Sequence, residues 1–224
     1  MNHEDIWNSF CSRQKVVDQA APLFETSDEL TVNTHEVGRV DKRKILSRSK
    51  SMESLIIEQT ELLTADIDNI THQYDGLIYM MFFIEGGLVK PLYIGKTESK
   101  GRSNRLSVNI KNLRSDKSKF ARWGNGYKYH IGDLSAVAVP GHHKIKQSNK
   151  YVDWANTLFV DYPCNNPELK QQTYFWCKAW DRNIDGIWEN FGKTRLTFLE
   201  YLMIGVASSA FPTLLLNREG QSRA

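Results

Sequence analysis

The sequence predicts an α+β fold, and three observations carry the prediction. The first 70 residues are polar and helically patterned. At Gly76 two apolar runs follow, joined by a glycine-rich turn. A long apolar helix then closes the pattern ahead of Pro212. Hydrophobic residues make up 41% of the 224-residue chain and charged residues 25%, which fits one folded core with an extension rather than a disordered chain.

Within residues 1–70, Leu55, Glu58 and Leu62 recur at helical spacing, and Ser51 and Ser54 are the candidate caps. The stretch is expected to form a helical N-terminal extension. From Gly76, Leu77-Ile78-Tyr79-Met80-Met81-Phe82-Phe83-Ile84 reads as one strand and Leu92-Tyr93-Ile94 as a second, with Glu85-Gly86-Gly87 between them. That pattern is a β-hairpin. Its register decides what the two tyrosines can do. A three-residue turn centred on Gly86 puts Tyr79 directly opposite Tyr93 on one face. A two-residue Gly86-Gly87 turn puts them on opposite faces. Pro91 cannot donate to a ladder, so the second strand is expected at a sheet edge or starting late.

After the hairpin, Leu106, Ile110 and Leu113 fall on one helical stripe across 103–113. Arg105 and Asn109 are one turn apart on a neighbouring face. Residues 157–162 and 173–180 read as further strands, and 193–210 as the last helix. The aromatic-rich stretch holding Tyr174, Phe175, Trp176, Trp180 and Trp188 is expected in the core rather than stacked on bases. The loop around Arg122 and Trp123 is basic and aromatic, and is the expected substrate contact outside the core.

The net charge is only +3, but between Lys96 and Lys150 thirteen Lys or Arg stand against three carboxylates. A basic field of this kind suits a phosphate backbone, because binding releases condensed counterions. Lys96, Arg102, Arg105, Asn109, Lys111, Arg114, Arg122 and Lys128 are the expected nucleic-acid contacts. The bland reading is a solvated face balanced by acidic neighbours. The three cysteines, Cys11, Cys164 and Cys177, are too far apart in sequence for a zinc module, and their odd count argues against a disulfide framework. With no secretory signal at the N-terminus, a reduced, cytoplasmic protein is expected. The apolar stretch 196–216 contains Glu200 and Pro212, which argue against a membrane span.

Glu200 is the only charged side chain in that stretch. A carboxylate on an apolar helix is costly unless something pairs with it, and a divalent cation or a buried arginine would serve. The alternative is a carboxylate that simply points to solvent.

Gly76-Leu77-Ile78-Tyr79 followed by Tyr93-Ile94-Gly95-Lys96-Thr97 resembles the two signature strands of the GIY-YIG nucleases. Arg105 then stands where that family has its helix arginine, Glu200 where it has its metal-binding glutamate, and Pro212 and Asn217 resemble its later proline and asparagine. The resemblance spans 76–217 in order, with an insertion at about 115–190. It implies a nuclease domain over 71–224, built on a small three-stranded antiparallel sheet flanked by helices. It also implies phosphodiester hydrolysis with one Mg²⁺ or Mn²⁺ per active site, held by Glu200. Arg105 would bind a non-bridging phosphate oxygen. One tyrosine would activate water, with Tyr79 positioning and Tyr93 acting, helped by the charge of Lys96. Asn217 would orient the site or contact phosphate. The family's histidine four residues after the arginine is replaced here by Asn109, which shifts weight onto a tyrosine or Lys96. His130, His142 and His143 are spare imidazoles, the last two expected in a surface loop. The small stand-alone members of the family are restriction or phage-type enzymes, so DNA is the expected substrate. RNA or structured DNA is one alternative, and a non-catalytic nucleic-acid-binding protein is another. Cutting at a palindrome would call for a homodimer.

Overall fold

The computed structural model describes residues 2–40, 42–101, 106–111, 113–117, 123 and 130–218. It is an α+β architecture organised around one antiparallel sheet. The elements run α1 (His3–Arg13), β1 (Ala21–Pro22), β2 (Thr34–Val37), β3 (Arg43–Leu46), α2 (Lys50–Asp68), β4 (Tyr74–Glu85), β5 (Leu88–Glu98), α3 (His130–Ala138), α4 (Asn149–Leu158), β6 (Tyr174–Asp181) and α5 (Leu196–Ala210). The main sheet has the order β1-β6-β4-β5, and β2 and β3 form a separate two-stranded ribbon. The N-terminal stretch is therefore not purely helical. Its Ala21 and Pro22 add a fourth strand to the main sheet by pairing with Phe175 and Tyr174.

β4 is buried on both faces, and its unbroken apolar run from Leu77 to Phe83 reflects that. Odd-numbered side chains, Tyr79, Met81 and Phe83, join a core with α2, α3, α4 and the ribbon. Even-numbered side chains, Ile78, Met80 and Phe82, join a second core with α1 and α5. The sheet thus separates two apolar layers.

Local chemistry explains the helix starts. Asn2 and Asp5 form a reciprocal capping box on α1. On α2 the cap is Ser49, whose hydroxyl accepts from the Met52 N–H at 3.0 Å, rather than the expected Ser51 or Ser54. The buried stripe of α2 is Met52, Ile56, Thr60 and Leu63, and Leu62 faces solvent. α5 begins at Leu196 because Asp75, one residue before Gly76, takes the Leu196 N–H at 3.2 Å and holds the Arg195 guanidinium through two bonds of 2.6 and 2.8 Å.

Two expected elements differ. Residues 157–162 do not form a strand. Thr157 and Leu158 end α4, whose buried Tyr151, Trp154, Ala155 and Leu158 follow the helical i, i+3, i+4, i+7 pattern. The helix expected across 103–113 is not formed among its described residues. Leu106 bridges to Lys100, and 108–111 are turns built on the Ser107 carbonyl, which accepts from both Ile110 and Lys111.

The hairpin register is the detail that places the tyrosines. Gly86 and Gly87 both have positive φ, 57° and 77°, and form a two-residue turn. That turn alone would separate the tyrosines. Between Met81↔Tyr93 and Phe82↔Pro91, however, Leu92 is an extra residue in β5. This bulge restores the parity. Tyr79 pairs with Gly95 and lies diagonal to Tyr93, on the same face, with ring centroids 6.4 Å apart. Gly95 is required for this contact: a Cβ there would stand 2.6 Å from Tyr79 Cζ. Trp123 and Phe175 also pack on Tyr79, each 6.1 Å away, so its ring has no room to retreat. Gly95→Ala should therefore destabilise the chain by about 2 kcal/mol in urea unfolding. The penalty should largely vanish in a Tyr79→Ala background, and an unchanged penalty there would refute the close-approach account.

Candidate functional site

β5 gathers most of the residues singled out in the sequence. Tyr93 is half-buried on the face shared with Tyr79, which is only 2% exposed. Lys96 pairs with Ile78 across the ladder and so belongs to the α5 side. Its ammonium lies 2.7 Å from the Glu98 carboxylate, and that pairing holds Glu98 below the usual carboxylate range. Lys96 is thus neutralised by a neighbour and turned away from the tyrosines. The cation beside Tyr93 is instead Lys150 of α4, whose Nζ lies 5.0 Å from the ring centroid.

Lys96 and Asn109 meet in one open cavity of about 470 Å³, lined also by Thr97, Glu98, Lys100 and Ser107. Arg102 and Arg105 fall between the walls of this cavity in sequence; they, Arg122 and Lys128 lie outside the described residues. Lys111 is exposed. Arg114 and Lys117 are exposed but tied to Glu61 and Glu53 of α2. Part of the basic surplus is therefore balanced by the preceding helix, as the bland reading of the charge holds.

Glu200 is half-buried, on the flank of the α5 stripe formed by Leu196, Leu199, Met203 and Ala207. α5 covers the face of the sheet opposite the tyrosines. The tyrosine pair and Glu200 are therefore in different layers, and the edge strand β5 is what lies between them. Among the described residues no three His, Cys, Asp or Glu side chains gather into a metal cluster. A half-buried carboxylate such as Glu200 still fits Mg²⁺, which binds through one or two carboxylates and keeps water and substrate oxygens as its other ligands.

Asn217 has a clear role. Its Oδ1 accepts from the Ile94 N–H at 2.9 Å, and its Nδ2 donates to the Ile94 carbonyl at 2.8 Å. One residue earlier, the Leu216 N–H donates to the Leu92 carbonyl. The chain beyond α5 thus closes the outer edge of β5. Asn217 is 6% exposed and spends its amide on the backbone, so it orients the strand and does not reach a phosphate.

Trp123 is fully buried against Tyr79, Phe175, His130 and Trp154, which corrects its expected role in substrate contact. Phe175, Trp176 and Trp180 are core residues as expected, whereas Trp188 is exposed. His143 is exposed and His142 holds the Lys44 carbonyl at 2.8 Å, in the connection between α3 and α4. His130 differs from both. It is buried at the start of α3, 5.0 Å from the Tyr93 ring and stacked on Trp154. Its Nδ1 is 2.8 Å from the Tyr151 hydroxyl. Asp133 and Tyr151 were not singled out in the sequence. The meeting of His130 with Tyr151 is tertiary and leaves no mark in the local sequence.

No family model matches the chain, and no curated protein or solved structure is significantly similar to it. The fold defines an α+β protein with a four-stranded antiparallel sheet, and no described helix is long and apolar enough to cross a membrane. Asn217→Ala would leave the Ile94 N–H and carbonyl unpaired in a buried setting. It should lower stability by about 3 kcal/mol in urea unfolding. Unchanged stability would point instead to a surface role for this amide.

Proposed function

We propose that the chain is a metal-dependent endonuclease of GIY-YIG type that hydrolyses DNA phosphodiester bonds. The observation that carries the reading is the Asn217 clamp on Ile94. Two elements chosen by resemblance, 123 residues apart, meet at the middle residue of Tyr93-Ile94-Gly95. The common face of Tyr79 and Tyr93 and the cavity shared by Lys96 and Asn109 support it further.

In this reading Tyr93 is the acting tyrosine, because it is half-buried on the edge strand, while Tyr79 is enclosed and positions it. Lys150 places a positive charge over the Tyr93 ring, where it favours a phenolate. The phenolate takes a proton from water as the water oxygen attacks phosphorus and the ester oxygen departs. Glu200 would hold the divalent cation, which would supply neutralisation of the phosphate charge and stabilisation of the leaving oxygen. Arg105 and the walls around Lys96 and Asn109 hold the nucleic acid. The substrate then lies along β5 beyond the stretch closed by Leu216 and Asn217, at the cavity of Lys96 and Asn109.

A second reading, a non-catalytic nucleic-acid-binding protein on the same core, is favoured by the burial of Tyr79 and by the layer separating it from Glu200. Incubation of supercoiled plasmid, branched DNA and RNA with Mg²⁺ or Mn²⁺ separates the readings. The proposal expects plasmid cleavage by the natural chain and a loss of at least about a hundredfold in Glu200→Ala. Binding without cleavage on every substrate and metal would establish the second reading. Cleavage confined to RNA or branched DNA would move the substrate, and equal cleavage by Glu200→Ala would overturn the metal role.

A further inference from the structure

α5 packs on α1, β4 and β5 through a stripe that includes Leu196, Leu199, Met203 and Ala207. Helical periodicity brings Thr197, Phe198, Tyr201, Gly205, Ser208 and Ser209 together on the opposite face. None of these six is charged, whereas the exposed face of α2 carries Lys50, Glu58, Glu61 and Asp68. Phe198 is 49% and Tyr201 61% exposed. Phe191 stands edge-on to Phe198 at 5.8 Å, and Trp188 edge-on to Phe191 at 5.0 Å. These two are 51% and 41% exposed. Four neighbouring aromatics are thus left in water at one end of an uncharged helix face, a feature that marks a contact surface.

The other end of the same face is small. Gly205 sits in the interior of α5, and a Cβ built on it would meet nothing within 4 Å. Among the described residues nothing requires a glycine there, and glycine weakens a helix interior relative to alanine. Ser208 and Ser209 each donate their hydroxyl to the Gly205 carbonyl at 3.0 Å. The donors of this half are therefore spent on the helix's own backbone rather than offered to water.

We propose that this face is the contact with a second copy of the chain, with α5 packed antiparallel on α5 about a two-fold axis level with residue 203. Such an axis sets Phe198 of one copy against Ser208 of the other, and Tyr201 against Gly205, twice over. Each bulky side chain meets a small one, and the open space over Gly205 receives the tyrosine ring. A two-fold contact needs a surface complementary to itself, and large residues at one end with small ones at the other meet that need. The area agrees. At roughly 200 Å² per aromatic side chain, the four aromatics leave about 400 Å² uncovered on each copy. That is about half of the roughly 800 Å² each partner gives to a standard interface, and the small half of the face adds to it. Charge argues against a phosphate backbone as the occupant. Arg195 is held by Asp75, Arg13 by Glu189, and Lys193 bridges to Asp185, so the patch has no basic surplus. The inference does not depend on the nuclease reading.

The decisive experiment is sedimentation velocity of the full chain from about 1 to 100 µM, a range that brackets a micromolar contact. The proposal expects a species of twice the 25.8 kDa of one chain that gives way to the single chain on dilution. Phe198→Glu should leave only the single chain, with circular dichroism establishing that the variant is folded. Gly205→Leu should weaken the dimer at least about tenfold by overfilling the contact. Its folded state, measured by urea unfolding at the dilute end, should be as stable as the natural chain or more so, because leucine favours a helix and finds open space within one copy. Leu62→Glu, on the exposed face of α2, should leave the dimer unchanged. A natural chain that stays single at every concentration would overturn the proposal. So would a dimer that neither α5 variant weakens, or one that Leu62→Glu dissolves equally. A dimer lost in Phe198→Glu but intact in Gly205→Leu would overturn the antiparallel packing. A single-chain species that loses oligonucleotide binding in Phe198→Glu would overturn the second copy in favour of nucleic acid.

Discussion

One extra residue in β5 sets the disposition of everything that follows it. Leu92 has no partner across the ladder, and by taking up a position it reverses the parity that the two-glycine turn imposes. Without it Tyr93 would face α5 and Ile94 would face the aromatic layer. With it Tyr93 meets Tyr79, His130 and Trp154, while Ile94 enters the opposite core. Leu92 is itself buried, so the irregularity is filled with apolar contact rather than left as a defect.

The hairpin, β6 and the last helix were legible because each is a run of apolar residues bounded by strong punctuation: Gly86-Gly87, the Asn165-Asn166-Pro167 region and Pro212. The bulge was not legible, since an added residue leaves no mark on composition. Residues 157–160 misled because Thr, Phe and Val favour strands locally, whereas the burial of Tyr151, Trp154 and Leu158 on one stripe favoured a helix and prevailed. At 103–113 the apolar spacing was real, as buried Ile110 and Leu113 attest, but among the described residues Leu106 bridges to Lys100 and 108–111 form turns. Glu200 stands out in the sequence as the one charge on its apolar helix, but its layer depends on a register that the sequence does not encode locally.

Electrostatics divide in the same way. The surplus of cations after β5 is visible in sequence, but the pairing of Arg114 and Lys117 with α2 carboxylates is not. Exposed pairs of this kind contribute little to stability, and they remain open to exchange with a stronger anion. Asp75 is the contrast. It is nearly enclosed, it accepts from both Arg195 and the Leu196 N–H, and it also pairs with Arg182. It joins the start of β4 to the start of α5, and so ties the helix carrying Glu200 to the strand carrying Tyr79.

The closing of β5 by Leu216 and Asn217 also bears on self-association. A sheet edge with open N–H and C=O groups is a template on which another chain can lay a strand. Here the stretch from Leu92 to Ile94 is already occupied by the chain's own backbone and amide. At the opposite margin β1 offers two residues, one of them Pro22, which has no N–H to give. Over Leu92–Ile94 and along β1 neither margin is a good template, so a sheet continued across two copies through either stretch is disfavoured by the fold itself.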